Sequence, residues 1–560
     1  MATSIADLEA RLAAVEKRLA VLEGRTEEPA EYEPRVDAGA RSDGFAAAAS
    51  AQAGRILLIF GGAYFLRAIT EAEYVPTALG LLLGAAYAVW WLLLAFRRAA
   101  DPAQHTRASF LAGTSVLLIL PLLHEAATTF AVLSGVQGIV AIAAYCAAGL
   151  VVASLRDMKV LAWLVTAGGI AAAGASLVAT QSAMAATTFL LLLGLGTLWI
   201  VYWRDWIGLQ WLGALGANVG VMVLAGLALS GRWPINPRTA VAFAALLLAS
   251  YLASFTYQTH IRGRLVNFFE AMQTLFAGAI VLGTSGAAVL GGHIGMLTVG
   301  VPSLILGVGG YALAISRETR QLRYRNFFYY AYFGLVFVLT GTALLLPLAG
   351  AAAIWALLAM LVAWFSFRTG WVSLSLQCTI LLLASTGASG LLLTGFEAIV
   401  GDPANGWISP EPVQFLVALA TVACLFIPVA QRSERWGTLA NMPQIVGLAL
   451  ATWNVGGLLI AMIAVPVASV GTGDPNLAYL AALRTSVLSI AGVTLAFSSR
   501  HRRWPEARYL VYPVLVLVCI KLFVEDFPLG HPGSLFVALG FIGSALLVAA
   551  PLLKRDDGSA

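Results

Sequence analysis

Apolar runs recur along the chain from residue 55 to residue 553, separated by short polar turns. Each run reaches the roughly 20 residues that a helix needs to cross a hydrocarbon core. Inside lipid the backbone has no water to bond, so such a segment must satisfy its own polar groups, and the pattern predicts helices. The runs are too long and too continuously apolar for a barrel of strands, in which residues alternate in polarity. Counted this way there are about eighteen spans, the first at 55–70 and the last at 534–553. Those that matter most below are predicted at 371–396, 411–430, 442–468, 476–498 and 508–526. A tight hairpin around Pro347 and Gly350 leaves the count open by one.

A different period rules the N-terminus. Ile5, Leu8, Leu12, Val15, Leu19 and Leu22 alternate spacings of three and four, the seam of a coiled coil. Glu16 and Glu23 then stand at e positions, and Arg11 and Arg18 at g. In a parallel homodimer Arg11 faces Glu16 and Arg18 faces Glu23, whereas an antiparallel pair sets like against like. A single amphipathic helix lying on the membrane or on its own bundle is the alternative. Residues 26–54 are acidic and then alanine-rich, with Pro29 and Pro34, and read as a flexible linker. The fold class expected is therefore all-α: a polytopic transmembrane helical bundle built of tandem hairpins over 55–553, with a cytoplasmic coiled-coil helix at 1–25 and a cytoplasmic tail at 554–560.

Charge in the turns orients the spans. Basic residues follow the even-numbered spans: Arg97 and Arg98, Arg156 and Lys159, Arg204, Arg262 and Arg264, Arg317 to Arg325, Arg368, Arg432 and Arg435, Arg500 to Arg503, Lys554 and Arg555. Turns after odd-numbered spans are mostly acidic or neutral, with Arg232 and Arg238 as exceptions. The positive-inside rule then places both termini in the cytoplasm.

Composition agrees with the class: 60% of the 560 residues are hydrophobic and 11% charged, against about a quarter charged in soluble proteins. The net charge of +5 sits in the turns, so it marks topology and gives no reason to expect a nucleic-acid partner. The N-terminus is charged and heptad-patterned, unlike a cleavable signal peptide. Cys146, Cys378, Cys424 and Cys519 fall inside predicted spans at no metal-like spacing, and read as small apolar residues without a disulfide. No phosphate-binding loop, metal motif or nucleophile elbow occurs, so neither a cofactor nor a catalytic residue is assigned. The expected partners are the lipid bilayer, a second copy through the N-terminal helix, and other proteins of a membrane complex.

Arg-x-x-Asn-Phe-Phe occurs at Arg264–Phe269 and again at Arg323–Phe328, each copy opening an odd-numbered span. Both enter from the same side, which points to hairpins repeated in one orientation rather than to an inverted repeat. Four stretches carry a resemblance: "GRILLIFGGAYFLRAITEAEYVP" from Gly54, "LLHEAATTFAVLSG" from Leu122, "WALLAMLVAWFSFRTGWVSLSLQ" from Trp355 and "CIKLFVEDF" from Cys519. With the N-terminal heptad helix, the chain over Gly54 to Leu553 resembles the bacterial membrane proteins grouped as domain of unknown function 2339. That resemblance implies a bacterial inner-membrane location and a many-span bundle, and it supplies no activity.

Candidate chemistry lies in ionisable groups within spans, each costing about 2.5–3.5 kcal/mol at a helix centre unless paired or wetted. Arg484 lies ten residues after Asp474, about 15 Å into its span. Lys521 lies about 20 Å along the span that starts at Arg508, in its outer third, with Glu525 in i,i+4 reach. At helical spacing Asp526 points away from that face and is free to meet another helix. Arg67 lies in the outer half of the first span with Glu71 one turn on, His124 and Glu125 lie at the outer end of the third, and Glu270 lies about one and a half turns inside the ninth, predicted at 265–284. The polar pocket expected from these positions comprises Arg67, Glu71, His124, Glu125, Arg484, Lys521, Glu525 and Asp526. Snorkelling of Lys521 to the headgroups, satisfied by Glu525 alone, is the plainer reading. The amides Asn218, Gln377 and Asn454 read as ties between helices.

Three function classes follow: a transporter or flippase with a polar intramembrane pocket; a non-catalytic scaffold assembling partners through its coiled coil; and a membrane-embedded transferase acting on a lipid-linked sugar or acyl group. The last would use His124, Glu125, Glu525, Asp526 and His531 as acid–base groups. Short outer turns count against it, because little chain is left to enclose a soluble substrate.

Overall fold

The structure is a computed structural model that describes residues 61–62, 70, 72, 74–316, 324–401, 409–427, 441–468, 474–501, 503–529 and 532–553. The predicted heptad helix with its seam residues, the linker, most of the first predicted span with Arg67, the following Glu71, His531 and the C-terminal tail lie outside the described residues. All regular structure among the described residues is helical.

Two compact units divide the chain, residues 1–216 and 217–560. In the first, α1 (Thr77–Arg98) packs on α2 (His105–Thr128), α3 (Gly135–Arg156) on α4 (Lys159–Thr180), α2 on α4, and α3 on α5 (Ala183–Arg204). The boundary falls within helix α6 (Leu209–Leu229), whose residues from Ala217 onward belong to the second unit. In the second unit α7 (Pro237–Thr256) pairs with α8 (Phe268–Leu290), and α9 (Met296–Ile315) with α10 (Tyr324–Leu345). Next come α11 (Leu348–Thr369), α12 (Val372–Ala388), a half-length helix α13 (Leu391–Val400) and α14 (Pro412–Phe426). The unit closes with α15 (Met442–Ala468), α16 (Asp474–Arg500), α17 (Arg508–Lys521) and α18 (Pro532–Leu553). α11 holds α12 and α14, α15 carries α13, and α16 is flanked by α15, α17 and α18.

Fifteen of the described helices are long and apolar enough to cross a membrane, and sixteen if α12 and α13, bent by 63°, count as one broken span. The span predicted at 411–430 appears as the 15-residue α14. Such architecture is that of a multi-pass membrane protein.

Helix starts are encoded locally. Ser134 caps α3 reciprocally with Gln137: the Gln137 amide donates to Ser134 Oγ at 3.3 Å and the Ser134 amide to Gln137 Oε1 at 2.9 Å. Asn267 and Glu270 do the same at α8, through bonds of 2.9 and 3.0 Å. Glu270 is therefore a capping residue in the first turn, not an ion inside the span. The second repeat copy differs: Asn326 lies within α10, accepting from the Val266 amide at 2.9 Å and donating to Arg264 O at 3.1 Å. One copy thus fastens the other.

Interhelical contact rests on small residues and amides. A Cβ on Gly334 would come within 2.8 Å of Gly307 O, so the backbones of α9 and α10 touch. Asn218 and Gln273 exchange two bonds of 2.9 Å between α6 and α8. Gln377 accepts from Tyr311 at 3.0 Å, and Asn454 Nδ2 reaches Thr386 and Thr421 at 3.3 Å each.

Cys378 on α12 and Cys424 on α14 are both reduced, and their thiols meet side by side on the wall of a cavity of about 50 Å³. Their separation in sequence hides this pairing. Copper–phenanthroline treatment of membranes is expected to join them, each thiol giving up a hydrogen to the oxidant. Intact-mass measurement then loses two hydrogens per chain in the native protein and none in Cys378→Ala. An unchanged native mass would mean that α12 and α14 do not pack this way.

Candidate functional site

Lys521 closes α17, and the helix then widens for five residues, Leu522–Asp526, before Phe527 resumes α-helical spacing. In this π-turn the Phe527 amide bonds to Leu522 O, five residues back. In an α-helix, residue i+5 sits about 140° round from residue i, five steps of about 100°. Widening the turn rotates it back, so both Glu525 and Asp526 come to the side of Lys521. The expectation that Asp526 turns away from that face is corrected here: it meets Lys521 on its own helix and α16 as well.

Lys521 Nζ lies 2.8 Å from Glu525 Oε2 and 3.7 Å from Asp526 Oδ2. It also donates to Ala481 O at 3.1 Å and to Thr485 Oγ1 at 3.3 Å, both on α16. Thr485 donates in turn to Asp526 Oδ2 at 2.7 Å. The lysine is 7% exposed, so it is an interhelical cation rather than a snorkelling one. Asp526 is 3% exposed, and its Oδ1 is buried without a hydrogen-bond partner.

Arg484, 3% exposed, joins the same cluster. Its Nη1 donates to Glu525 Oε1 at 2.7 Å, and its Nη2 donates to Gly401 O. One carboxylate thus bridges both cations, an oxygen to each. The formal charge of the cluster is zero: Arg484 and Lys521 against Glu525 and Asp526. Glu525 is the member open to the outside, its side chain 24% exposed. Beside it Phe523 and Val524 face outward, so the cluster opens onto an apolar surface.

Gly401 is the C-cap of α13, and the sequence does not flag its role. The span predicted as one helix over 371–396 breaks at Ser389–Gly390, where Gly390 takes φ = 73°, a left-handed conformation that favours glycine. Gln414 Nε2 donates to Ser389 O at 3.1 Å and to Thr394 Oγ1 at 3.0 Å, satisfying a carbonyl that the break orphans. Ten residues of helix reach about 15 Å, half a hydrocarbon core. α13 therefore ends where Arg484 lies, and its carbonyl end carries about half a negative charge from the helix dipole. Gly395 and Gly457 let α13 seat on α15: a Cβ on Gly457 would be 2.6 Å from Gly395 Cα.

Of the eight pocket residues expected from sequence, Arg484, Lys521, Glu525 and Asp526 come together. His124 and Glu125 lie on α2 in the first unit, where His124 Nδ1 is 2.9 Å from Ser176 Oγ on α4. Sequence reasoning missed Thr485, Gly401 and Gln414. A glycine and serine interruption of a hydrophobic run, "STGASG" from Ser385, is the signal that would have found the break. Among the described residues, no group of three or more His, Cys, Asp and Glu side chains is arranged to hold a metal ion.

Chemically, the cluster presents two fixed cations to one exchangeable carboxylate, in a setting that excludes most water. An anion entering beside Glu525 competes with it for Arg484. Comparison of the chain with protein-family models, with curated proteins and with solved structures finds no match.

Proposed function

We propose that the protein is a membrane transporter of flippase type that moves an anionic, lipid-borne group. The observation that carries this reading is Arg484: one guanidinium holds the carbonyl end of a half-length helix and the exposed carboxylate of a buried cluster. Three buried charges, with Glu525 half-buried beside them, give a passive bundle little, because desolvation offsets most of their attraction. Broken helices whose ends meet charged groups near mid-membrane are a recurrent device of transporters. An anion that takes Glu525's place on Arg484 loosens both the π-turn and α13, which couples binding to movement. The apolar surface beside Glu525 favours a substrate arriving through lipid.

The test uses vesicles of phosphatidylcholine carrying a trace of phosphatidylglycerol labelled on its headgroup with nitrobenzoxadiazole. External dithionite bleaches only outer-leaflet label in protein-free vesicles. With the protein, bleaching is expected to proceed to near completion, and with Arg484→Gln to stop at the protein-free level. Identical bleaching with and without protein counts against the reading.

We further propose the cytoplasmic placement of both termini and the parallel dimer of residues 1–25, on the charge patterns given above. The landmark stretches support kinship with the domain of unknown function 2339 proteins. Reporter fusions after Gly231 and after Asp402 are expected to signal the periplasm, and fusions after Arg325 and Lys554 the cytoplasm. A periplasmic signal from the C-terminal fusion would overturn the span count.

A further inference from the structure

Between α15 and α16 the second unit carries an apolar groove of about 390 Å³, within the roughly 300–1,000 Å³ of pockets that bury a small ligand. Phe426, Leu459, Ile490 and Trp504 line it, with Gly456 and Ala491 across from the larger side chains. Those two small residues make the groove. A Cβ on Gly456 would meet nothing within 4 Å, so the gap is open space rather than close packing. From Val487 to Ser498 the wall on α16 extends over twelve residues, about 16 Å of helix rise. Its few polar lining residues are Thr452, Thr494 and Ser498.

The groove ends at a basic rim. Arg503 Nη2 donates to Phe426 O, and Phe426 is itself a wall residue. Trp504, also in the wall, donates to Leu425 O at 3.3 Å, and the His501 ring lies 5.7 Å from its ring. On residues 497–508 the described charged groups are Arg500, Arg503 and Arg508, with one buried acid, Glu506. Arg500 bonds to Pro551 O and Leu552 O on α18, and Arg508 stacks on Tyr509. Three arginines against one buried carboxylate leave this end cationic. Arg503 uses one guanidinium nitrogen, Nη2, at Phe426 O, and the planar fork of five donors to which it belongs suits a phosphate. Trp and Tyr beside arginine is the composition of a headgroup interface.

We propose that this groove is a binding site for an anionic phospholipid, its acyl chain laid between α15 and α16 and its phosphate held by Arg503. Charge decides the occupant. An apolar groove alone would take any lipid tail, whereas a cationic rim at the level of the headgroups selects a tail that carries negative charge. On the orientation that the basic turns imply, the rim faces the leaflet surface where anionic lipid is attracted. The site is separate from the Arg484 cluster, and the inference does not depend on the transport reading.

The test reconstitutes the full chain in phosphatidylcholine vesicles with a trace of phosphatidylglycerol bearing a diazirine in its acyl chain. A parallel sample carries phosphatidylcholine with the same chain. After illumination, labelled peptides are mapped by mass spectrometry. Label is expected on the α15 and α16 segments around Leu459 and Ile490, about fivefold stronger from phosphatidylglycerol, the effect of one arginine near the surface. Arg503→Gln is expected to abolish that preference, and Ala491→Trp, which fills the groove, to remove label from both probes. Equal labelling of the native chain by the two probes would overturn the proposal, showing ordinary boundary lipid. The native comparison decides the matter even where a variant fails to fold. Label that persists in a well-folded Ala491→Trp would overturn it too.

Discussion

Lys521→Met is expected to destabilise the folded protein by about 3–5 kcal/mol, the usual loss when one partner of a buried ion pair is removed. The cause is what the substitution leaves behind. Asp526, 3% exposed, keeps one hydrogen bond from Thr485 and loses the cation that, among the described residues, pairs with it. Methionine restores most of the volume, so packing is a minor part of the effect. The measurement is the midpoint of thermal unfolding in detergent, followed with tryptophan fluorescence, together with the yield of monodisperse protein. The double variant Lys521→Met with Asp526→Asn is expected to recover most of the loss. It leaves Arg484 and Glu525 as a balanced pair, and replacing a whole pair costs far less than breaking one. A native midpoint in Lys521→Met alone would show that the ammonium is not what holds Asp526. Persistent loss in the double variant would locate the defect in the missing bonds to Ala481 and Thr485 instead.

The opposite treatment of two neighbours, Glu525 and Asp526, marks the limit of what periodicity reveals. Hydropathy and turn charge depend only on composition over a window of residues, and they located the described helices closely. The pairing of Lys521 with Glu525 follows from i,i+4 spacing, and the burial of Arg484 from its depth along α16. Asp526 was misplaced because the same arithmetic assumes an unbroken 3.6-residue period, which the π-turn interrupts. Likewise 371–396 reads as one span because hydropathy records that residues are apolar, not the direction in which the helix runs. The break at Gly390 depends on a single left-handed residue and on Gln414, a side chain 24 residues later that caps the freed carbonyl. Cys378 and Cys424 meet for a similar reason: their contact is made by the packing of α12 beside α14, and nothing in either local sequence announces it. Glu270 shows the reverse case. Asn-x-x-Glu is a readable start signal, and weighing it as a cap would have moved the start of α8 to Phe268.

Arg484→Lys is expected to keep the positive charge and lose the grip on α13. The guanidinium is planar and sends two nitrogens in divergent directions, Nη1 to Glu525 Oε1 and Nη2 to Gly401 O. An ammonium is a single point charge, and it will settle on the carboxylate, the stronger partner. The end of α13 then loses a hydrogen bond to a charged group, worth about 1.5–3 kcal/mol. Because the cluster stays neutral, global unfolding is expected to change much less than in Lys521→Met. The local consequence is read at Ile399, buried against Ile460, Val518 and Leu522 at the last turn of α13. In a chain whose four native cysteines are alanine, Ile399→Cys reports how often that turn leaves its seat, through the rate of alkylation by N-ethylmaleimide. Opening made easier by this bond energy is expected to raise the rate about ten- to hundredfold in Arg484→Lys. Gly457→Ala offers an independent route to the same motion, since its Cβ would press on Gly395 Cα and lift α13 from α15. Alkylation at the native rate in Arg484→Lys would mean that α13 is held by its packing alone. Arg484 would then serve the charge balance of the cluster without positioning the half-helix, and the coupling between anion binding and movement of α13 would lose its basis.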